Sequence, residues 1–151
     1  MIQSVQEQEL TLTTNTSALP FADTDLRTAS ANCFNGWLNH NEGSATFNLL
    51  GGGIYDISFQ TNISSAAAGL VGLALFADGV QLAGTEMDEE ITTANVFKNI
   101  SMNKKIRVCG RGNVTITVQS VPAIVSNGVS TDTQIPIIKN ANISIERRFG
   151  N

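Results

Sequence analysis

Residues 51–82 constrain the fold more than any other part of the chain. Three consecutive glycines, residues 51–53, precede the alternation Ile54-Tyr55-Asp56-Ile57-Ser58-Phe59, and a second apolar run, residues 70–76, leads into Asp78-Gly79. Alternation at period two, carried by β-branched and aromatic side chains, is what a strand with one buried face requires. Asp-Gly between two apolar runs suits a two-residue hairpin, because both central positions take positive φ. The chain is predicted to be a β-protein.

The same reading extends along the sequence. Residues 5–13 alternate around Leu10 and Leu12 and read as a first strand, followed by a loop through Pro20 to Asp23 and Asp25. Residues 33–39 and 45–50 read as strands separated by the polar turn 39–43, and residues 54–63 form the clearest strand. Residues 70–77 and 80–84 make the Asp-Gly hairpin, and residues 95–102 form another strand. A second hairpin is expected from residues 105–109 and 114–118, with Val114, Ile116 and Val118 on one face. Residues 141–146 supply the last strand, with Ile143 and Ile145 facing one way. Residues 86–94 carry Met87 and Ile91 at helical spacing, but Thr92, Thr93 and the acidic group make them a loop or single turn. About ten short strands in one unit point to a two-sheet sandwich or closed barrel, of which the antiparallel jelly roll is favoured.

A chain of 151 residues, 42% hydrophobic, can bury one core and is too short for two. The expected division is an arm or first strand over residues 1–28, available for attachment, and a jelly-roll domain over residues 29–151. Charged residues make up 15%, below the roughly 25% of ordinary soluble chains, so Asn, Ser, Thr and Gln must cover much of the surface. A net charge of −4 argues against a phosphate-binding face. Lys104-Lys105-Arg107 and Arg147-Arg148 then read as solvated strand ends. The first ten residues have neither the basic start nor the apolar run of a secretory signal, and no stretch is long enough for a spanning helix. The chain is therefore expected to be made in a cytoplasm, without membrane insertion, and Cys33 and Cys109 to remain free, buried thiols.

Catalytic and metal-binding residues are not expected. The single histidine, His40, lies between Asn39 and Asn41 in a polar turn and reads as a surface residue, and two separated cysteines leave no zinc ligand set. The glycine run lacks a following Lys-Ser/Thr and precedes a strand, so it is a turn and no phosphate cradle. Asp88, Glu89 and Glu90 read as a solvated acidic loop, with calcium binding or a glycosidase pair as the alternatives. Asn-x-Ser/Thr sequons begin at Asn15, Asn62, Asn99, Asn113 and Asn142, as polar strands produce by chance.

Residues 53–63, continuing through Val71-Gly72-Leu73-Ala74-Leu75-Phe76-Ala77-Asp78-Gly79-Val80, resemble the jelly-roll core of the tumour-necrosis-factor and complement-globular-head superfamily. They look most like its bacterial and phage members, including phage head-fibre or decoration-type proteins and the C-terminal domains of collagen-like exosporium proteins. The terminal Ala141-Asn142-Ile143-Ser144-Ile145-Glu146-Arg147 is similar to the closing strand of the phage-type sequences. The resemblance spans about residues 33–148 and implies a homotrimer. It makes Tyr55, Ile57, Phe59 and Phe76 candidates for core or trimer contacts, with Asp56, Ser58 and Gln60 on the opposite parity of the strand. This chain lacks the Gly-X-Y stalk of the collagen-like relatives, so attachment has to be made otherwise.

Those implications lead to an expected function: a trimeric virion structural protein that decorates a phage head or tips a fibre. Residues 1–28 would dock on a capsid or other virion protein. Loops carrying Asp88, Glu89, Glu90, Asn127 and Asp132 would reach host-surface glycans or proteins. The alternatives are a ligand-binding module of a bacterial cell or spore surface and, third, a glycan-active enzyme using the acidic loop. No cofactor is expected.

Overall fold

The structure, a computed structural model, describes residues 1–14, 16–27, 37–110, 112–125, 128–129 and 133–148. Among them there are fourteen strands and no helix. In chain order these are β1 (Ile2–Gln6), β2 (Leu10–Thr11), β3 (Asp23–Arg27), β4 (Leu38–His40), β5 (Phe47–Leu50), β6 (Gly53–Ser64) and β7 (Gly69–Ala77). They continue with β8 (Val80–Gln81), β9 (Met87–Ile91), β10 (Lys98–Val108), β11 (Asn113–Ser120), β12 (Ile124–Val125), β13 (Gly128–Val129) and β14 (Ile137–Arg148). One sheet runs β10-β6-β14-β1-β3, with β2 also on β14; the other runs β4-β5-β11-β7-β8, with β9 also on β7. All pairings between these strands are antiparallel. The protein is a two-sheet antiparallel jelly-roll sandwich.

The pleat of β6 explains the core. Tyr55, Ile57, Phe59 and Ile63 are each at most 2% exposed, while Asp56, Ser58 and Gln60 point outward. Ile143 and Ile145 of β14 and Ile116 and Val118 of β11 close the same core from either sheet, as their alternation implied. Phe21 sits edge-on to both Phe47 and Phe59, at centroid distances of 5.3 and 6.4 Å, so an aromatic cluster ties the sheets together. The β7–β8 turn has the expected geometry, with φ of 50° at Asp78 and 77° at Gly79.

Several local expectations are corrected. The stretches read as 95–102 and 105–109 merge into one long strand, β10, that starts at Lys98 and ends at Val108, and β10 and β11 belong to different sheets, so they form no hairpin. The acidic segment is not a loop: Met87–Ile91 is β9, paired with β7 from Leu73↔Met87 to Gly69↔Ile91. Met87 and Ile91 turn toward the core at period two, a spacing that four-residue separation also satisfies. The first strand lies earlier than residues 5–13 and splits into β1 and β2. Residues 1–28 supply β1, between β14 and β3, with Ile2, Val5, Leu12, Leu19 and Phe21 buried.

His40 is also corrected, from surface to core. It ends β4 at 1% exposure, stacks on Phe47 at 4.0 Å, and its Nδ1–H donates to the Thr46 carbonyl at 2.9 Å. Flanking asparagines hid a strand position whose neighbours face water. Cys109 is free as expected but exposed, after the end of β10; Cys33 lies outside the described residues.

Candidate interaction surface

The outward parity of β10, β6 and β14 forms a continuous polar face, because antiparallel register stacks small amides and hydroxyls in rows. One row joins Asn103, Ser58 and Ser144; the next joins Ser101, Gln60 and Asn142. Ser58 donates to Asn103 Oδ1, and Asn99 donates to Asn62 Oδ1 at 3.1 Å. A hollow of about 330 Å³ lies over the Ser58, Gln60, Ser101 and Asn142 region, and one of about 420 Å³ continues from Ser58 and Asn103 to Asp56, Lys105, Glu146 and Arg148.

Charge gathers at one end of the face, while Lys139, in register with Asn62, stands at the other. Asp56 accepts from Arg148 Nε and lies 3.7 Å from Lys105 Nζ, with the carboxylate far less exposed than either cation. Arg147 faces the opposite way and donates to the Gly52 carbonyl, pinning the glycine corner to β14. The Tyr55 hydroxyl donates to the Gly51 carbonyl at 2.9 Å and to that of Trp37 at 3.3 Å. Burial pushes the Tyr55 phenol up from its usual value, partly opposed by the nearby Arg147 charge.

The residues singled out from sequence fall into separate regions. Tyr55, Ile57 and Phe59 lie inside the subunit, so any contact β6 makes with a partner is made through its outward parity, Ile54, Asp56, Ser58, Gln60 and Asn62. Phe76 is half-buried on the outer side of the second sheet, opposite Thr117. Asp88 and Glu90 are exposed, and Glu89 between them is half-buried and bonded to Lys98 Nζ at 2.7 Å. Consecutive residues of a strand point to opposite faces, so Glu89 and Glu90 cannot flank one glycosidic bond. Asn127 and Asp132 lie outside the described residues. Among the described residues, no three metal-ligating side chains gather. The polar face itself was not singled out from sequence as a site; its signal was the run of Asn, Ser and Gln at alternate positions of three strands.

No protein-family model matches this sequence, and no curated protein matches it. Solved structures do match. The globular domain of zebrafish complement 1qA protein superposes with a TM-score of 0.60 at 10% identity, covering 99% of this chain and 98% of that one. Murine APRIL superposes with a TM-score of 0.52 at 11% identity, covering 91% and 96%. At such identities the likeness is one of fold, and it extends over nearly the whole chain: the sandwich described above is the jelly roll of complement globular heads and tumour-necrosis-factor-like domains.

Proposed function

We propose that this protein is a homotrimeric binding and structural module, without catalytic activity, whose subunits meet through the outer face of β10, β6 and β14. The observation that carries the reading is the combination of that fold with a continuous face of mostly neutral amides and hydroxyls. Such groups lose far less on leaving water than charges do, and a symmetry-related copy of the same face can return their hydrogen bonds. An apolar interface is not needed.

Within that reading, the module belongs to a phage particle, as a head decoration or fibre tip. Support comes from the resemblance of residues 53–80 and 141–147 to phage-type sequences and from a chain in which strands take most of the length. Attachment to the particle runs through residues 1–28, whose β3 is the last strand of its sheet among the described residues. An edge strand offers unpaired backbone groups that a capsid segment can extend. The second reading, a ligand-binding module of a bacterial or spore surface, is favoured by the likeness to a complement globular domain.

Peptide mass spectrometry on purified particles and on envelope fractions of cells carrying the gene separates the two. The virion reading predicts peptides of this chain in the particles at copy numbers that are multiples of three. Recovery from the envelope, with none in particles, contradicts it.

A further inference from the structure

The two basic groupings, some forty residues apart in sequence, become neighbours in the fold. β6 lies between the ends of β10 and β14, so Arg107, Ile54 and Arg148 share a row, and Lys105, Asp56 and Glu146 share the row two residues further in. Lys104, Arg147 and Arg27, the last in the same row as Lys104 through Ile2, Ile145 and Ile57, complete six described cations at this end, against the carboxylates of Asp56, Glu146 and the Asp78 turn. The opposite end carries the other sign. There the β1–β2 turn holds Glu7 and Glu9, and the end of β9 holds Asp88, Glu89 and Glu90, against only Lys98 and Lys139 among the described residues. Asp23 and Asp25 lie on β3, where Asp23 is opposite Val5, Glu42 lies in the β4–β5 turn, and Glu86 accepts from Gln81 Nε2 at 2.7 Å near the β7–β8 turn, which reduces the positive excess there.

The poles stand about 30 Å apart, given the ~3.3 Å rise per residue along β6. That separation is several screening lengths at physiological salt, so the poles cannot neutralise each other within one subunit. A net charge of −4 therefore conceals a molecule with a basic end and an acidic end. Exposed poles of opposite sign fit each other.

We propose that copies of this chain dock end to end, basic pole on acidic pole. The partner is a second copy, because its own far end supplies the complementary charge. Such a contact is heterologous: each copy uses one surface as donor and a different one as acceptor, so it does not close on itself and builds a stack. Each contact between solvated charges is weak, so the stack is reversible and salt-sensitive. The proposal does not depend on how many chains form the repeating unit, which high salt isolates.

Sedimentation velocity on the full chain, taken from about 0.5 M to about 20 mM sodium chloride, tests this, since the screening length grows from a few ångströms to about 20 Å over that range. The expected result is a single unit at high salt and larger, reversible species at low salt. The doubly reversed variant Glu9→Lys/Glu90→Lys, whose positions on the β1–β2 turn and β9 lie off the face of β10, β6 and β14, remains as the unit at low salt, with association weakened by about tenfold or more. Mixed in equal amounts with the wild type, it shortens the wild-type stacks, because both its ends are basic and it caps their acidic termini. A folded wild type whose size ignores salt overturns the proposal, and that measurement needs no variant. A variant that associates as the wild type does, or a mixture whose stacks are not shortened, also overturns it. So does a wild type that binds a DNA oligonucleotide at low salt while remaining a single unit.

Discussion

At the scale of single residues, two glycines are fixed by close approach. A Cβ on Gly72 would stand 2.7 Å from the Val121 carbonyl oxygen and from Asp88 Oδ1, and one on Gly52 would stand 2.8 Å from the Gly110 carbonyl oxygen. Backbone atoms are the obstacles, so neither site relaxes by a rotamer change. Gly72→Ala is expected to cost about 1–3 kcal/mol in denaturant unfolding, as overpacking of a tight interior does. Tyr55→Phe keeps the ring and removes its bonds to Gly51 and Trp37, for a loss of about 1 kcal/mol. The phenol also gives a pH signature. Its folded pKa is raised, so the folded state holds the proton more tightly and the associated stability is intact below the unfolded value of about 10. That contribution is lost as pH rises from there through the folded value. Unfolding curves across this alkaline range should fall more steeply for the wild type than for Tyr55→Phe.

At the scale of elements, the β7–β8 turn couples local chemistry to sheet pairing. Asp78 Oδ1 accepts from the Thr115 amide at 2.8 Å, and the Asp78 amide donates back to the Thr115 carbonyl at 2.9 Å. Gly79→Ala, at φ 77°, should cost about 1 kcal/mol, whereas Glu89→Gln, which removes a half-exposed ion pair with Lys98, should cost less than about 1 kcal/mol. Thermal melts read both. What could be read from sequence follows the same division. β6, β7, the Asp-Gly turn and the inward parity of β11 and β14 were legible because alternation and turn chemistry act over a few residues. β9 was not, since four-residue spacing of Met87 and Ile91 fits strand and helix alike, and three acidic residues masked a strand held by β7. The β10–β11 hairpin failed for a related reason: a glycine turn between two strands says nothing about which sheet each strand joins. His40 was misplaced because its burial is set by Phe21 and Phe47, both remote from its polar neighbours.

At the scale of the molecule, the jelly roll itself was foreseen from strand number and resemblance, whereas its outer surface emerges only from register. Asn103, Ser58 and Ser144 are distant in sequence and form one row; the basic groupings, each read as a solvated strand end, are also joined only through β6. If this face is where subunits meet, a bulky charge in its middle should separate them without unfolding them. Ser58→Arg and Ser144→Arg are expected to retain the wild-type circular dichroism and lose self-association at high salt, because an unpaired charge at a desolvated contact costs several kcal/mol. The most direct test of the central claim is the mass of the wild-type particle by light scattering at micromolar concentration in about 0.5 M salt, where end-to-end contacts are screened. The account predicts three chains per particle; a particle of one chain would contradict it.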